Sequence, residues 1–377
     1  MKEIRLFTPG PTHVPQRVRD FLALPMIHHR SEAFEEILKS VRKRITWLCG
    51  SQGESVVLAS SGTGGMEASI ASLFSQGDEV VVVNGGKFGE RWEKIAGHFG
   101  LKTKVVRVEW GLAARMEEVM DAITPQTKGV LIQACESSTG AYHPIQKLGK
   151  ALEDKPEILF VVDAITALGV HNLDMQKDRI DVLVCASQKA LMTPPGLAIV
   201  TLEPRAIDRI QKHGLSFYFS LASELEAQRK NQTAFTPAIS LVRALNEALA
   251  MIEREGKEAL YKRHLKMQKM AREGFRAMGL ELFNTDEEAT WGITVVRAPT
   301  GLEVKPWLSN LKKDYDLWLA GGQAELEGKI FRVSHMGALT LQMLWTAIRN
   351  IEETLNGLVL GAQRQLGSQK ARTFLES

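Results

Sequence analysis

Between Ser55 and Leu202 the chain alternates short apolar runs with amphipathic stretches, and this alternation restricts the fold more than any other feature. The strand candidates are Val56–Ala59, Glu79–Val83, Lys104–Val108, Gly129–Gln133, Leu159–Val162, Val182–Val184 and Leu197–Leu202. Between them the spacing predicts helices over Met66–Phe74, Gly89–Phe99, Arg115–Ile123 and Ile145–Leu152. Nearly continuous apolar strands separated by helices point to the α/β class, with a mostly parallel sheet covered on both faces. In such sheets ligands bind outside the carboxyl ends of the strands, so those ends are where chemistry is sought.

A chain of 377 residues exceeds one comfortable core, which predicts a large and a smaller domain. The large one is placed at residues 16–250, behind an arm at 1–15 that Thr8-Pro9-Gly10-Pro11-Thr12 keeps from being helical. A helix follows over Glu32–Leu48. The smaller domain, 251–360, is read as α+β. Helical spacing covers Ile239–Ile252 and Leu260–Met278, then Gly292–Val296, Lys305–Tyr315 and Ile330–Val333 read as strand, helix, strand. A final helix spans Leu341–Leu358, and residues 361–377 are expected to be a frayed polar tail.

Composition excludes several classes. A net charge of +3 with evenly spread acids and bases leaves no basic stripe for nucleic acid. No apolar run approaches the roughly 20 residues of a membrane span, and the charged start Met1-Lys2-Glu3-Ile4-Arg5 has no secretory core. The last four residues form no peroxisomal address. Cys49, Cys135 and Cys185 lie far apart, without metal-site or disulfide spacing, so a cytoplasmic protein is expected. His28 and His29 have no acidic or thiol partner nearby and read as loop residues, not metal ligands.

At the strand ends, Asp181–Leu191 carries Ser187-Gln188-Lys189 directly after an apolar run, before Pro194-Pro195-Gly196. Buried there, a lysine loses protonation and its amine can attack a carbonyl; taken alone, Lys189 reads as an ordinary solvated loop lysine. Ser60-Ser61-Gly62-Thr63-Gly64-Gly65 runs from a strand into a helix, exposing backbone N–H groups suited to one phosphate. The Walker lysine and the third dinucleotide glycine are both missing. Asp163 closes an apolar strand and needs a cation, such as a pyridinium nitrogen, unless it caps a turn. Glu136-Ser137-Ser138-Thr139-Gly140 adds hydroxyl donors, and Phe88 offers a ring that either stacks on a flat ligand or caps the local core. A phosphate anchor, a ring clamp, a counter-ion and an amine together are what pyridoxal 5′-phosphate (PLP) requires, and their coincidence reverses the reading of Lys189.

With Thr8-Pro9-Gly10-Pro11, Gly89-Glu90-Arg91, Pro194-Pro195-Gly196 and Arg332 added, the chain resembles the class V, fold-type I PLP-dependent aminotransferases, of the alanine–glyoxylate and serine–pyruvate type. The resemblance implies ping-pong transamination between alanine or serine and glyoxylate or pyruvate. It implies that Lys189 forms the Schiff base and that Asp163 pairs with the pyridine nitrogen. Ser61, Gly62, Thr63 and Gln188 would hold the phosphate, Ser137 would approach the ring hydroxyl, and Phe88 and Ile165 would border the ring. Arg332 and Gly10 would receive the substrate. Thr236 would reach the neighbouring subunit's phosphate in a homodimer with shared sites. Arg332 suits the role, since its planar fork matches a carboxylate; its alternative is a surface arginine on a strand. Relatives often carry Trp at the Phe88 position. Two rival readings fit the residues less well. A cysteine desulfurase usually has His before the lysine, where this chain has Gln188, and a nucleotide-binding α/β protein would need a fuller glycine fingerprint.

Overall fold

The computed structural model describes residues 5–210, 214–355, 357–359 and 364–376. Residues 1–4 of the expected arm, 356 and 360 of the final helix region, and 361–363 and 377 of the expected tail lie outside the described residues. Seven strands form the central sheet: β1 (Glu54–Ala59), β2 (Glu79–Asn84), β3 (Lys102–Arg107), β4 (Thr127–Gln133), β5 (Leu159–Asp163), β6 (Val182–Ala186) and β7 (Leu197–Leu202). Their order is β1-β7-β6-β5-β4-β2-β3. β7 runs antiparallel to both its neighbours, and the other pairs are parallel.

Successive strand residues project to opposite faces, and here both faces are apolar. Val57, Val81, Val83, Ile132 and Val162 pack toward α1 (Glu32–Cys49) and α4 (Ile239–Glu255). Val56, Val80, Val82, Leu131 and Val161 pack toward α2 (Gly62–Leu73) and α3 (Lys87–His98), where Trp92 is fully buried. Both α2 and α3 begin earlier than their apolar spacing predicts. Glycine is a poor helix former, so a first turn of Gly62-Thr63-Gly64-Gly65 or one holding Gly89 hides from periodicity. Phe88 therefore sits inside the first turn of α3 instead of preceding it. The helix expected over 115–123 contracts to Met116–Asp121.

The chain then changes core at Gly256, whose φ of +79° breaks α4 from α5 (Lys257–Ala277). α5 packs with α6 (Leu341–Thr354) and an antiparallel sheet of β8 (Ile293–Arg297), β9 (Ala320–Gly321) and β10 (Ile330–Ser334), ordered β8-β10-β9. The N-terminal arm joins this core: Arg5–Leu6 pair in parallel with Leu317–Trp318, and Phe7 is buried. No helix among the described residues is long and apolar enough to cross a membrane.

The end of the chain departs from expectation. Instead of fraying, Leu366–Glu376 forms α7, which buries Ala371 against α5 and α6. Composition could not reveal it, because what holds the helix is remote in sequence. Glu352 of α6 accepts hydrogen bonds from the Gly367 and Ser368 N–H groups at 2.7 and 2.8 Å, and Trp345 Nε1 donates to the Ser368 carbonyl at 3.0 Å. Glu352 thus does for α7 what an N-cap side chain does for its own helix. Glu352→Ala would strand two buried N–H groups. It should destabilise the protein by about 1–3 kcal/mol in urea unfolding, and an unchanged midpoint would contradict this role.

Candidate active site

The carboxyl ends of β4, β5 and β6 bring the candidate residues together. Asp163 ends β5, in register with Gln133 of β4 and Val184 of β6, and is almost fully buried. One oxygen accepts the Ile165 N–H at 2.8 Å; no ion pair reaches it among the described residues. Burial pushes its carboxyl up to about 7, with the Glu136 charge adding to the shift.

Lys189 follows β6 in a turn and is nearly enclosed. The N-terminal arm closes over it. Its ammonium donates to the Pro9 carbonyl, while Thr12 donates to the Lys189 carbonyl from Oγ1 at 2.8 Å and to the Gln188 carbonyl from its N–H at 3.1 Å. Gly10 takes a φ of +140° that side chains rarely adopt, and a Cβ there would lie 2.6 Å from Lys189 Cε, so glycine lets the arm cross the lysine. Burial pulls the ammonium down to about 8, against the opposing pull of Cys135 and Asp163. Near neutral pH the amine is therefore far closer to its reactive form than a surface lysine.

The phosphate-type turn lies at the start of α2. Ser61 is the N-cap but its side chain makes no capping bond, and it stays exposed. Gly62 faces Ile165 so closely that a Cβ would collide with it. The Thr63 hydroxyl accepts from Arg91 at 3.1 Å, and the Arg91 guanidinium lies 4.7 Å from the Phe88 ring centroid. Arg332 of β10 is buried and held flat: Nε and Nη2 donate to the Gly321 carbonyl at 3.0 and 2.8 Å, and Nη1 donates to the Ser137 carbonyl at 2.7 Å. Burial lowers its pKa to about 10, still charged at neutral pH. The guanidinium keeps further donors for a carboxylate.

One expected participant stands apart. Thr236 is exposed in a shallow hollow with Leu58, Ala59, Phe219 and Phe235, beside Phe217, which is 86% exposed. His28 and His29, read as loop residues, lie in a loop with their rings tilted and centroids 4.5 Å apart, where Arg30 donates to Gln232 Oε1 at 2.5 Å. No metal-ligating cluster occurs among the described residues. The three cysteines are buried, and Cys49 and Cys135 are pushed up to about 12 by that burial, poor nucleophiles of the kind a desulfurase needs.

Two features were not assigned from sequence: the arm carbonyl on Lys189, and the Glu136 carboxylate beneath Phe88. The second had a signal in Gly85-Gly86, a helix start that offers no capping side chain of its own.

The donor set fits PLP. A buried amine, a buried carboxylate lacking a cation and an uncapped helix N-terminus are separately unfavourable, and such a ligand satisfies them together. Reaction of the cofactor-free protein with an added aldehyde should quicken with pH, half-maximally near 8, because only the neutral amine attacks. A rate flat between pH 6.5 and 9.5 would place the reactive group elsewhere.

Comparisons with known proteins agree with this geometry. Residues 5–317 match the family Aminotransferase class-V. The chain is 36% identical over 375 residues to an uncharacterized aminotransferase of Helicobacter pylori strain J99, covering 98% of each. It is 31% identical over 372 residues to the L-aspartate–glyoxylate aminotransferase of Paracoccus denitrificans, covering 96% of this chain and 93% of that one. The structure superposes on the alanine–glyoxylate aminotransferase of Nostoc sp. with a TM-score of 0.90 at 26% identity, covering 94% and 96% of the two chains. A helix-covered, mostly parallel sheet carrying a smaller domain is thus shared with enzymes of one kind: this chain belongs to the class-V aminotransferases of PLP fold-type I, and its cofactor is pyridoxal 5′-phosphate.

Proposed function

We propose that this aminotransferase moves an amino group from alanine or serine to glyoxylate or pyruvate, in two half-reactions of ping-pong form. The observation that carries the proposal is that Lys189 and Asp163, at the carboxyl edge of the central sheet, meet Arg332 delivered by β10 of the small sheet, each buried and each chemically distinct. The bound cofactor supplies an electron sink for the bond broken at the substrate Cα.

The chain's own residues do the rest. Asp163 holds the proton on the pyridine nitrogen: burial costs the lone carboxylate dearly, and a cation beside it restores the charged form. Lys189 provides the amine for attachment and afterwards carries a proton away from Cα, a task matched to a pKa of about 8. Arg332 receives the α-carboxylate, its plane fixed beforehand by the Gly321 and Ser137 carbonyls, so little ordering is left for the substrate to impose. Ser61, Gly62, Thr63 and Gln188 hold the phosphate at the start of α2. Ser137 meets the ring hydroxyl, Phe88 and Ile165 border the ring, and Gly10 leaves room above Lys189. Thr236 serves the neighbouring subunit's phosphate in a homodimer, which would cover the exposed Phe217. Three buried, unpaired thiols suit the cytoplasm.

A glyoxylate acceptor agrees with the names of the Paracoccus and Nostoc proteins, whose donors differ from each other. The reading is tested by half-reactions with alanine, serine, aspartate and glutamate, followed by loss of the cofactor's absorbance, then by its return with glyoxylate or pyruvate. Alanine or serine should be the fastest donor; exclusive use of a dicarboxylic donor would overturn that choice. Arg332→Gln should raise KM for the donor about tenfold or more, with a smaller change in the uptake of PLP. An unchanged KM would remove Arg332 from carboxylate binding.

A further inference from the structure

We infer that Glu136 is a positioning residue that holds Phe88 against the cofactor ring by capping α3 from a different part of the chain. The sequence supplies no cap where α3 begins. Gly86 occupies the N-cap and has no side chain, so the first N–H groups of the helix must find partners elsewhere. They find them in the segment that follows β4. Glu136 Oε2 accepts from the Phe88 N–H at 3.0 Å and the Gly89 N–H at 3.1 Å, and Ser138 Oγ accepts from the Lys87 N–H at 3.2 Å. The carboxylate is itself held, by the Ser138 hydroxyl at 2.5 Å and N–H at 3.2 Å on Oε1 and by Gln133 Nε2 at 3.2 Å on Oε2.

Space enforces the same arrangement. A Cβ at Gly86 would lie 2.5 Å from Ser138 Oγ and 2.6 Å from the Glu136 carboxyl carbon, so the missing side chain at the N-cap is the room the remote carboxylate occupies. The helix N-terminus favours a negative charge at this point. Glu136 is fully buried and sits where the proposed site's parts meet. Its neighbour Ser137 fixes Arg332 through a carbonyl, and the ring of Phe88, one residue into the capped turn, carries the Arg91 guanidinium, which in turn donates to Thr63. One short segment thereby sets the ring aromatic and the carboxylate receptor together. Neither role requires Glu136 to touch substrate or cofactor.

This inference rests on the proposed place of Phe88 at the cofactor ring. It is tested by a double-mutant cycle with PLP affinity as the readout, using Glu136→Gln and Phe88→Leu. Glu136→Gln keeps the shape but sets an amide N–H group against the Ser138 donors and removes the charge. It should raise the PLP dissociation constant about fivefold or more and reduce the visible circular dichroism of the bound cofactor. Phe88→Leu should weaken binding in the wild-type chain and add nothing further in Glu136→Gln, since the cap acts through that ring. Wild-type affinity in Glu136→Gln, or fully additive losses, would overturn the inference. Should Glu136→Gln not fold, Ser138→Ala removes one hydroxyl from the same cap and carries the cycle with the same two outcomes. Hydrogen exchange at the Phe88 and Gly89 amides in the cofactor-free protein separates the cap from the functional reading. Faster exchange in the variant supports the cap even if the wild type takes up no PLP, and unchanged exchange refutes it.

Discussion

Burial of charge without a partner, at the carboxyl edge of the central sheet, is the constraint on which the rest of this structure depends. Asp163 and Lys189 are both enclosed, and among the described residues neither has an ion pair. Burial drives each toward its neutral form, Asp163 up to about 7 and Lys189 down to about 8. A structural core would replace such groups with apolar ones at no loss. Their retention makes sense as a site kept poised, in which a ligand with a cationic ring nitrogen and an electrophilic carbon completes what the protein leaves unsatisfied.

The scaffold's task is to hold that poise. Both faces of the sheet are apolar, so the strand ends cannot drift without opening a packed core. The loops at those ends are then fixed by contacts between remote segments. The arm at Pro9–Thr12 crosses the lysine, the segment 136–138 anchors both α3 and Arg332, and the small sheet delivers the guanidinium. The same device recurs away from the site, where Glu352 caps α7. Carboxylates that cap a helix from elsewhere tie secondary elements into one body, at positions where a local cap would fix only its own helix.

Much of this was legible in the residues. Short, nearly continuous apolar runs located the strands of the central sheet, and helical spacing located most helices, because burial on both faces leaves a strong apolar signal. Asp163 stood out as an acid closing an apolar strand and Gly62–Gly65 as a flexible link from strand to helix, whereas Lys189 drew its reading only from their coincidence. What stayed hidden was pairing at a distance. The helical tail at Leu366–Glu376 depends on Glu352, the first turns of α2 and α3 are built on glycines, and the Glu136 cap depends on a gap left at Gly86. None of these partners is near in sequence, so no window of residues contains the interaction. Thr236 was placed by resemblance alone, and in one chain it faces outward beside Phe217.

Lys189 is proposed as the residue that binds the cofactor covalently. Its most direct measurement is borohydride reduction of the yellow, PLP-loaded protein, followed by proteolysis and mass mapping of the modified peptide. The absorbance should bleach, with the cofactor's mass fixed on the peptide containing Ser187-Gln188-Lys189. A label on another lysine, or a colourless protein that takes up no PLP, would contradict it.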